Sequence, residues 1–171
     1  MDGNRLEERF EFREIDPEEA AQAARIEQIC FPPNEACTEE MMYRRIRKAL
    51  ELFLTAVDKE SGRLAGFLNG LATCENKFRD EFFTDETLHD PEGKTIMLLG
   101  LDVLPEYRGI GLAGKIVSEY ARRERERGRS LLLLTCLAQK VGMYEKFGFT
   151  DKGIADSSWG GEAWHEMERK L

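Results

Sequence analysis

The chain has 171 residues, 42% of them hydrophobic, which is enough for one well-filled domain and too few for two. With 33 acidic against 25 basic side chains its formal charge is -8, so the surface repels a phosphate backbone: nucleic acid is not an expected partner, whereas cationic amines are drawn in. No stretch reaches the roughly 20 apolar residues of a membrane span, and the opening Met1-Asp-Gly-Asn-Arg-Leu-Glu-Glu lacks a signal peptide's apolar core, so a cytoplasmic protein with no membrane association is expected.

Residues 1–8 are polar and expected to be disordered, leaving one domain over 9–171. Phe10, Phe12 and Ile15 alternate with charged neighbours as in a half-buried strand. Asp16 as N-cap, Pro17 as first helical residue and Glu19 three positions after the cap start a helix through Ala20 to Cys30, which Pro32 and Pro33 stop. Thr38 caps a second helix to about Leu50, whose Arg44, Arg45 and Arg47 read as a solvated face. Leu52 to Val57 and Leu64 to Leu71 flank a turn and form an antiparallel hairpin.

Glu75 to Gly93 is long and without a sustained period, and Phe78, Phe82 and Phe83 make it a folded cover rather than a floppy linker. Thr95 to Val103 and Leu131 to Leu134 are apolar runs bracketing a helix from about Gly111 to Arg127, a unit of two buried parallel strands and a crossover. On that helix Leu112, Ala113, Ile116, Val117 and Tyr120 make one stripe, and Gly128 is its stop. Arg122, Arg123, Arg125 and Arg127 complement the dipole of its last turns. Val141 to Phe147 forms a short helix, and strands follow from Phe149. The result is a single α/β domain: a central mixed, twisted sheet of six or seven strands with helices on both faces. Cys30, Cys37, Cys74 and Cys136 are scattered, without zinc spacing, and read as reduced thiols with no metal.

The most informative segment is Leu101-Asp-Val-Leu-Pro-Glu-Tyr-Arg-Gly-Ile-Gly-Leu-Ala-Gly-Lys115, which joins a strand to a helix through a glycine-rich turn. Gly109, Gly111 and Gly114 remove Cβ atoms that would hold a diphosphate off the main chain, the amides of a first helical turn are unpaired, and Arg108 adds a charge. A dinucleotide site fails, because Leu104 to Arg108 separate strand from glycine and no carboxylate lies between Ser130 and Tyr144. A nucleotide-triphosphate loop fails too, because Ile116 stands where a magnesium-binding hydroxyl belongs.

The remaining pattern, Arg108-x-x-Gly111-x-Ala113 after strand-Pro-x-Tyr, resembles the acyl-CoA loop of the Gcn5-related N-acetyltransferases (GNAT superfamily), and Tyr144-x-x-Phe147-Gly-Phe149 about 30 residues on is similar to that superfamily's later motif. Over about residues 10 to 170 the chain further resembles the arylalkylamine and polyamine branch, in Glu27-x-x-Cys-Phe31, Leu64-Ala-Gly-Phe67, Thr84-Asp-Glu-Thr-Leu-His89 and Trp164-His-Glu-Met167.

The resemblance implies direct acetyl transfer from acetyl-CoA to a small-molecule primary amine by a monomer or homodimer. Arg108, Gly109, Ile110, Gly111, Leu112, Ala113 and Gly114 would hold the diphosphate. Main-chain groups of Leu101 and Val103 would align the pantetheine arm, and Tyr144 would give a proton to the leaving thiolate. Trp164 would line the amine's pocket. The serotonin-type histidine pair is replaced by Met97 and Leu99. His89, His165, Glu166 or a water chain remain as routes for the amine's proton. A non-catalytic acyl-CoA-binding module, or a protein amine or aminoglycoside as acceptor, remain as alternatives.

Overall fold

The computed structural model describes residues 3–171. Of the segment expected to be disordered, residues 1 and 2 lie outside the described residues, and Gly3–Arg9 instead form helix α1. Leu6 explains the difference: it is 3% exposed and joins the core. Glu7 fastens the same turn, its carbonyl accepting from Lys59 Nζ at 2.9 Å and its carboxylate meeting Lys115 Nζ at 2.7 Å.

The capping signals act where they were read. Asp16 and Glu19 form a reciprocal capping box over a short 3-10 turn that leads into α2 (Ala20–Cys30), and Thr38 accepts from Met41 N–H at the start of α3 (Glu39–Lys48). Arg45 departs from the solvated face expected of it. It is buried and donates to the Phe83 carbonyl at 2.8 Å, because Met42, Arg45 and Ile46 share the inward stripe of α3.

Strands β1 (Phe10–Glu14), β2 (Phe53–Asp58), β3 (Leu64–Thr73), β4 (Thr95–Val103), β5 (Leu131–Cys136), β6 (Thr150–Ile154) and β7 (His165–Lys170) form one sheet in the order β1-β2-β3-β4-β5-β7-β6. Only β4 and β5 run parallel, joined by the crossover helix α5 (Leu112–Glu126). This is a single α/β domain with a mixed sheet; α2 pairs with α3 and packs on β3 and β4, while α5 packs on β2, β3 and β4. Between β3 and β4 lies α4 (Glu81–Thr84), and after β5 comes α6 (Val141–Lys146). Phe78 and Phe82 are buried, so the long connection is a folded cover as expected.

His89 pins that cover. Its Nδ1 accepts from Ala72 N–H at 3.0 Å, and the neighbouring Asp90 N–H donates to Ala72 O at 2.8 Å. Accepting at Nδ1 requires a neutral ring. Burial lowers the pKa of His89 below its ordinary value, outweighing the opposing pull of Glu51. A base whose folded pKa is depressed adds stability that is complete above the unfolded value of about 6.5 and is lost as pH falls through the folded one. Denaturant unfolding should therefore show stability decreasing from pH 7 to 5, with a shallower slope in His89→Asn. An unchanged slope would mean that His89 contributes nothing to it.

Candidate active site

Parallel pairing between β4 and β5 covers only Thr95 with Leu131, Ile96 with Leu132 and Met97 with Leu133. Beyond this point the strands splay. On the other edge of β4, Asn69 pairs with Gly100 and Gly70 with Leu98, so Leu99 is an extra, bulged residue that bends the strand where the gap opens. Leu104 N–H donates to Ala65 O at 2.9 Å. By the alternation of antiparallel pairing, the main-chain groups of Leu101 and Val103 face the opposite edge, toward the gap. The Val103 carbonyl is already taken by Arg108 Nε at 2.9 Å and Cys30 Sγ at 3.4 Å, which leaves its N–H and both groups of Leu101.

The gap continues into a cleft of about 710 Å³. At one end lies the turn into α5, with Gly111 as N-cap at φ 85° and Gly109 at φ 79°. A Cβ at either would meet nothing within 4 Å, so both face open space where a ligand can approach the backbone. The first amide of α5 to find a helical acceptor is that of Lys115, donating to Gly111 O at 3.1 Å. Among the described residues the amides from Gly109 to Gly114 are therefore free of backbone acceptors, an array suited to phosphate oxygens.

Leu101, Val103, Arg108, Gly109, Gly111, Leu112, Ala113, Gly114 and Tyr144 all line the cleft; Ile110 does not, its place in the turn leaving only its amide to contribute. Lys115 is turned away to Glu7. Opposite the glycine turn, α6 presents Tyr144, whose ring lies edge-on to Phe147 at 6.1 Å and Phe149 at 5.6 Å. Gly148, at φ 90°, reverses the chain behind it. Burial holds the Tyr144 phenol above its ordinary pKa.

Over residues 20–149 the sequence matches the profile of the Acetyltransferase (GNAT) family. The chain belongs to that family. The acetyltransferase also superposes on solved members of the fold. The GNAT-like decarboxylase GphF in complex with isobutyryl-CoA gives a TM-score of 0.81 at 15% identity, over 94% of this chain and 98% of that one. Ard1 from Thermoplasma volcanium gives 0.72 at 18%, over 95% and 97%, and yncA from Salmonella typhimurium with its cofactor acetyl-CoA gives 0.66 at 16%, over 95% and 94%. At these identities the likeness is one of fold. No curated protein matches the chain. The family's co-substrate is acetyl-CoA, and the free amides and open glycine positions of this acetyltransferase fit its diphosphate. Among the described residues no cluster of His, Cys, Asp or Glu could hold a metal ion, and no helix is long and apolar enough to cross a membrane.

The far end of the cleft is aromatic and acidic. Phe83 stacks on Trp159 at 4.7 Å, Trp159 Nε1 donates to Glu35 O at 3.1 Å, and Trp164 Nε1 donates to Trp159 O at 2.8 Å. Asn34 Nδ2 reaches Gly160 O at 2.8 Å, clasping the loop after α2 to the loop before β7. Glu35 lines this mouth, and burial together with Glu162 raises its pKa. Glu27 lines the cleft beneath Gly100.

None of the three sequence candidates for the amine's proton lines the cleft. His89 is committed to Ala72, His165 Nδ1 lies 3.1 Å from both oxygens of Asp151, and Glu166 accepts from Phe78 N–H at 2.7 Å. Sequence reasoning gave no role to Glu27, Glu35, Asp102 or Trp159. For Asp102 a signal was present: it is the only charged residue in the apolar run of β4.

Proposed function

We propose that this acetyltransferase moves an acetyl group from acetyl-CoA directly to the primary amine of a small molecule of arylalkylamine or polyamine type, acting in the cytoplasm as a monomer or homodimer. The observation that carries the reading is the acceptor mouth itself, where Phe83, Trp159 and Trp164 surround an opening that also holds the carboxylates of Glu35 and Glu27. Aromatic faces and carboxylates together attract an alkylammonium with an apolar body. The overall charge of -8 favours the same ligand.

In this reading the amides of Gly109 to Gly114 and the Arg108 guanidinium hold the diphosphate. The free main-chain groups of Leu101 and Val103 align the acyl-bearing arm as an added strand would. Acetyl-CoA supplies an activated acyl group, so no covalent acyl-enzyme is required. The Leu101 amide polarises the carbonyl, a contribution on the order of 10² to 10³ for such donors elsewhere. Tyr144, protonated throughout the working range, donates to the leaving sulfur.

A thiol-release assay over tyramine, spermidine, peptides and aminoglycosides tests the acceptor. Turnover with the first two and not the others is expected, and Trp164→Ala should shift the kcat/KM ratio between tyramine and spermidine by about tenfold, the worth of a modest apolar contact. Turnover confined to peptides or aminoglycosides would contradict the amine class, and an unchanged ratio would remove Trp164 from the pocket. Binding of acetyl-CoA without thiol release for any amine would favour a non-catalytic module.

A further inference from the structure

Beneath the bulge of β4 sits a group of polar side chains that acetyl-CoA binding leaves unexplained. Asp102 is 0% exposed and Glu27 only 4%. A methyl group on Gly100 would lie 3.0 Å from Asp102 Oδ1 and 3.1 Å from Glu27 Oε1, so the two carboxyl groups converge on one spot. No described residue supplies a donor to Glu27 Oε1 or to either oxygen of Asp102, whereas Glu27 Oε2 accepts from Cys37 N–H at 3.0 Å.

Two buried carboxyl groups converging on one spot cannot both be ionised without strong repulsion, so one keeps a proton. Asp102 is the more deeply enclosed and has no N–H donor, and burial beside Glu27 raises its pKa strongly, so the proton resides there. Glu27 is the member of the pair that lines the cleft, and its Oε1 has no hydrogen-bond partner. Around the pair stand Cys30 from α2, Cys37 from the following loop, Arg45 from α3 and Asn69 from β3, with Tyr144 across the cleft. Arg45 is the one cation among them, and its buried Nε and Nη1 have no hydrogen-bond partner, so its charge is left to balance the carboxylate.

We propose that Glu27 accepts the proton of the incoming ammonium, directly or through one water, with the buried Asp102 beside it as its positioning residue. The inference rests on the acetyl-transfer reading and supplies the base that the sequence left unnamed. The ammonium gives one proton to Glu27, and the freed lone pair forms the N–C bond. As the C–S bond breaks, its electron pair goes to sulfur, which takes the phenolic proton of Tyr144. Tyr144 is reprotonated by the second proton leaving nitrogen, and Glu27 sheds its own to solvent. The products are an amide, a free thiol and one solvated proton.

The test uses the full chain and Glu27→Gln. The acetyl-CoA-induced rise in melting temperature should persist in the variant, while kcat with spermidine at pH 7 falls by at least about tenfold, the lower end for loss of a general base. The deficit should shrink as pH rises. With trifluoroethylamine, which arrives unprotonated at neutral pH, it should be threefold or less. An equal deficit with both amines at all pH values would overturn the proposal, because a merely structural glutamate does not sense the acceptor's protonation.

Infrared spectroscopy of the unaltered protein gives a second readout should Glu27→Gln fold poorly. A protonated-carboxyl C=O band is expected at pH 7, and Asp102→Asn should remove it; absence of the band in the unaltered protein would overturn the pairing. Failure of the unaltered protein to release thiol with any amine sinks the acetyl-transfer reading and the proposal with it. Normal turnover with a uniform Glu27→Gln deficit sinks the proposal alone.

Discussion

Replacing Gly111 with valine is expected to weaken acetyl-CoA binding at least about a hundredfold, equivalent to about 2.7 kcal/mol. Gly111 occupies the left-handed region at φ 85°, where a β-branched residue is strained by about 1–3 kcal/mol. Its Cβ would project into open space on the cleft side, where the proposed diphosphate site lies. Gly62, in the turn between β2 and β3, separates the two effects: it too has a positive φ, 73°, with nothing within 4 Å of a Cβ, and it does not line the cleft. Gly62→Val should cost similar folding stability and leave the Kd for acetyl-CoA within about threefold of the parent. Calorimetric titration of both variants checks this. Equal weakening by the two would assign the Gly111 effect to strain alone, and normal binding by Gly111→Val would remove the amide cradle from the account.

Tyr144→Phe is the second large expected effect: kcat lower by about 10²–10⁴ with acetyl-CoA binding almost unchanged, the span measured for loss of a positioned acid. The substitution keeps the edge-on packing against Phe147 and Phe149 and removes only the phenolic oxygen. Because burial holds the phenol above its usual value near 10, Tyr144 stays protonated across the working range and imposes no alkaline limb on kcat below that pH. Steady-state kinetics on the variant, with the acetyl-CoA Kd measured separately, tests both points. Full turnover in Tyr144→Phe would leave the residue as packing.

Features written in local chemistry were legible in the sequence. Asp16, Glu19 and Thr38 cap because a side-chain oxygen satisfies an orphan amide two or three residues on, and this needs no tertiary information. Gly111 and Gly128 bracket α5 for similarly local reasons, since both carry positive φ. The glycine turn and Tyr144 came together in one cleft because the strand-helix-strand unit brings them to the same end of the sheet.

What stayed hidden depended on distant partners. The polar look of Gly3–Arg9 outweighed a single leucine, and only tertiary contact makes Leu6 an anchor. Arg45 sits among other arginines in the sequence, although its spacing of three from Met42 and one from Ile46 marks the inward stripe. Glu27 and Asp102 are 75 positions apart, a separation that β4 packing on α2 closes and no local pattern announces. By residue type alone the histidines are candidate bases, yet both are turned to structural partners. The acceptor mouth is built from three connections, contributing Glu35, Phe83 and Trp159, whose meeting a linear reading does not reveal.

The central claim is that the peptide nitrogens between Gly109 and Gly114 hold the diphosphate of acetyl-CoA. Amide NMR spectra of nitrogen-15-labelled protein during titration with acetyl-CoA test it most directly. Saturable shifts largest at Gly109, Ile110, Gly111, Leu112, Ala113 and Gly114, with smaller ones at Leu101 and Val103, are predicted. Shifts confined to other surfaces, or no saturable shift at those amides, would contradict it.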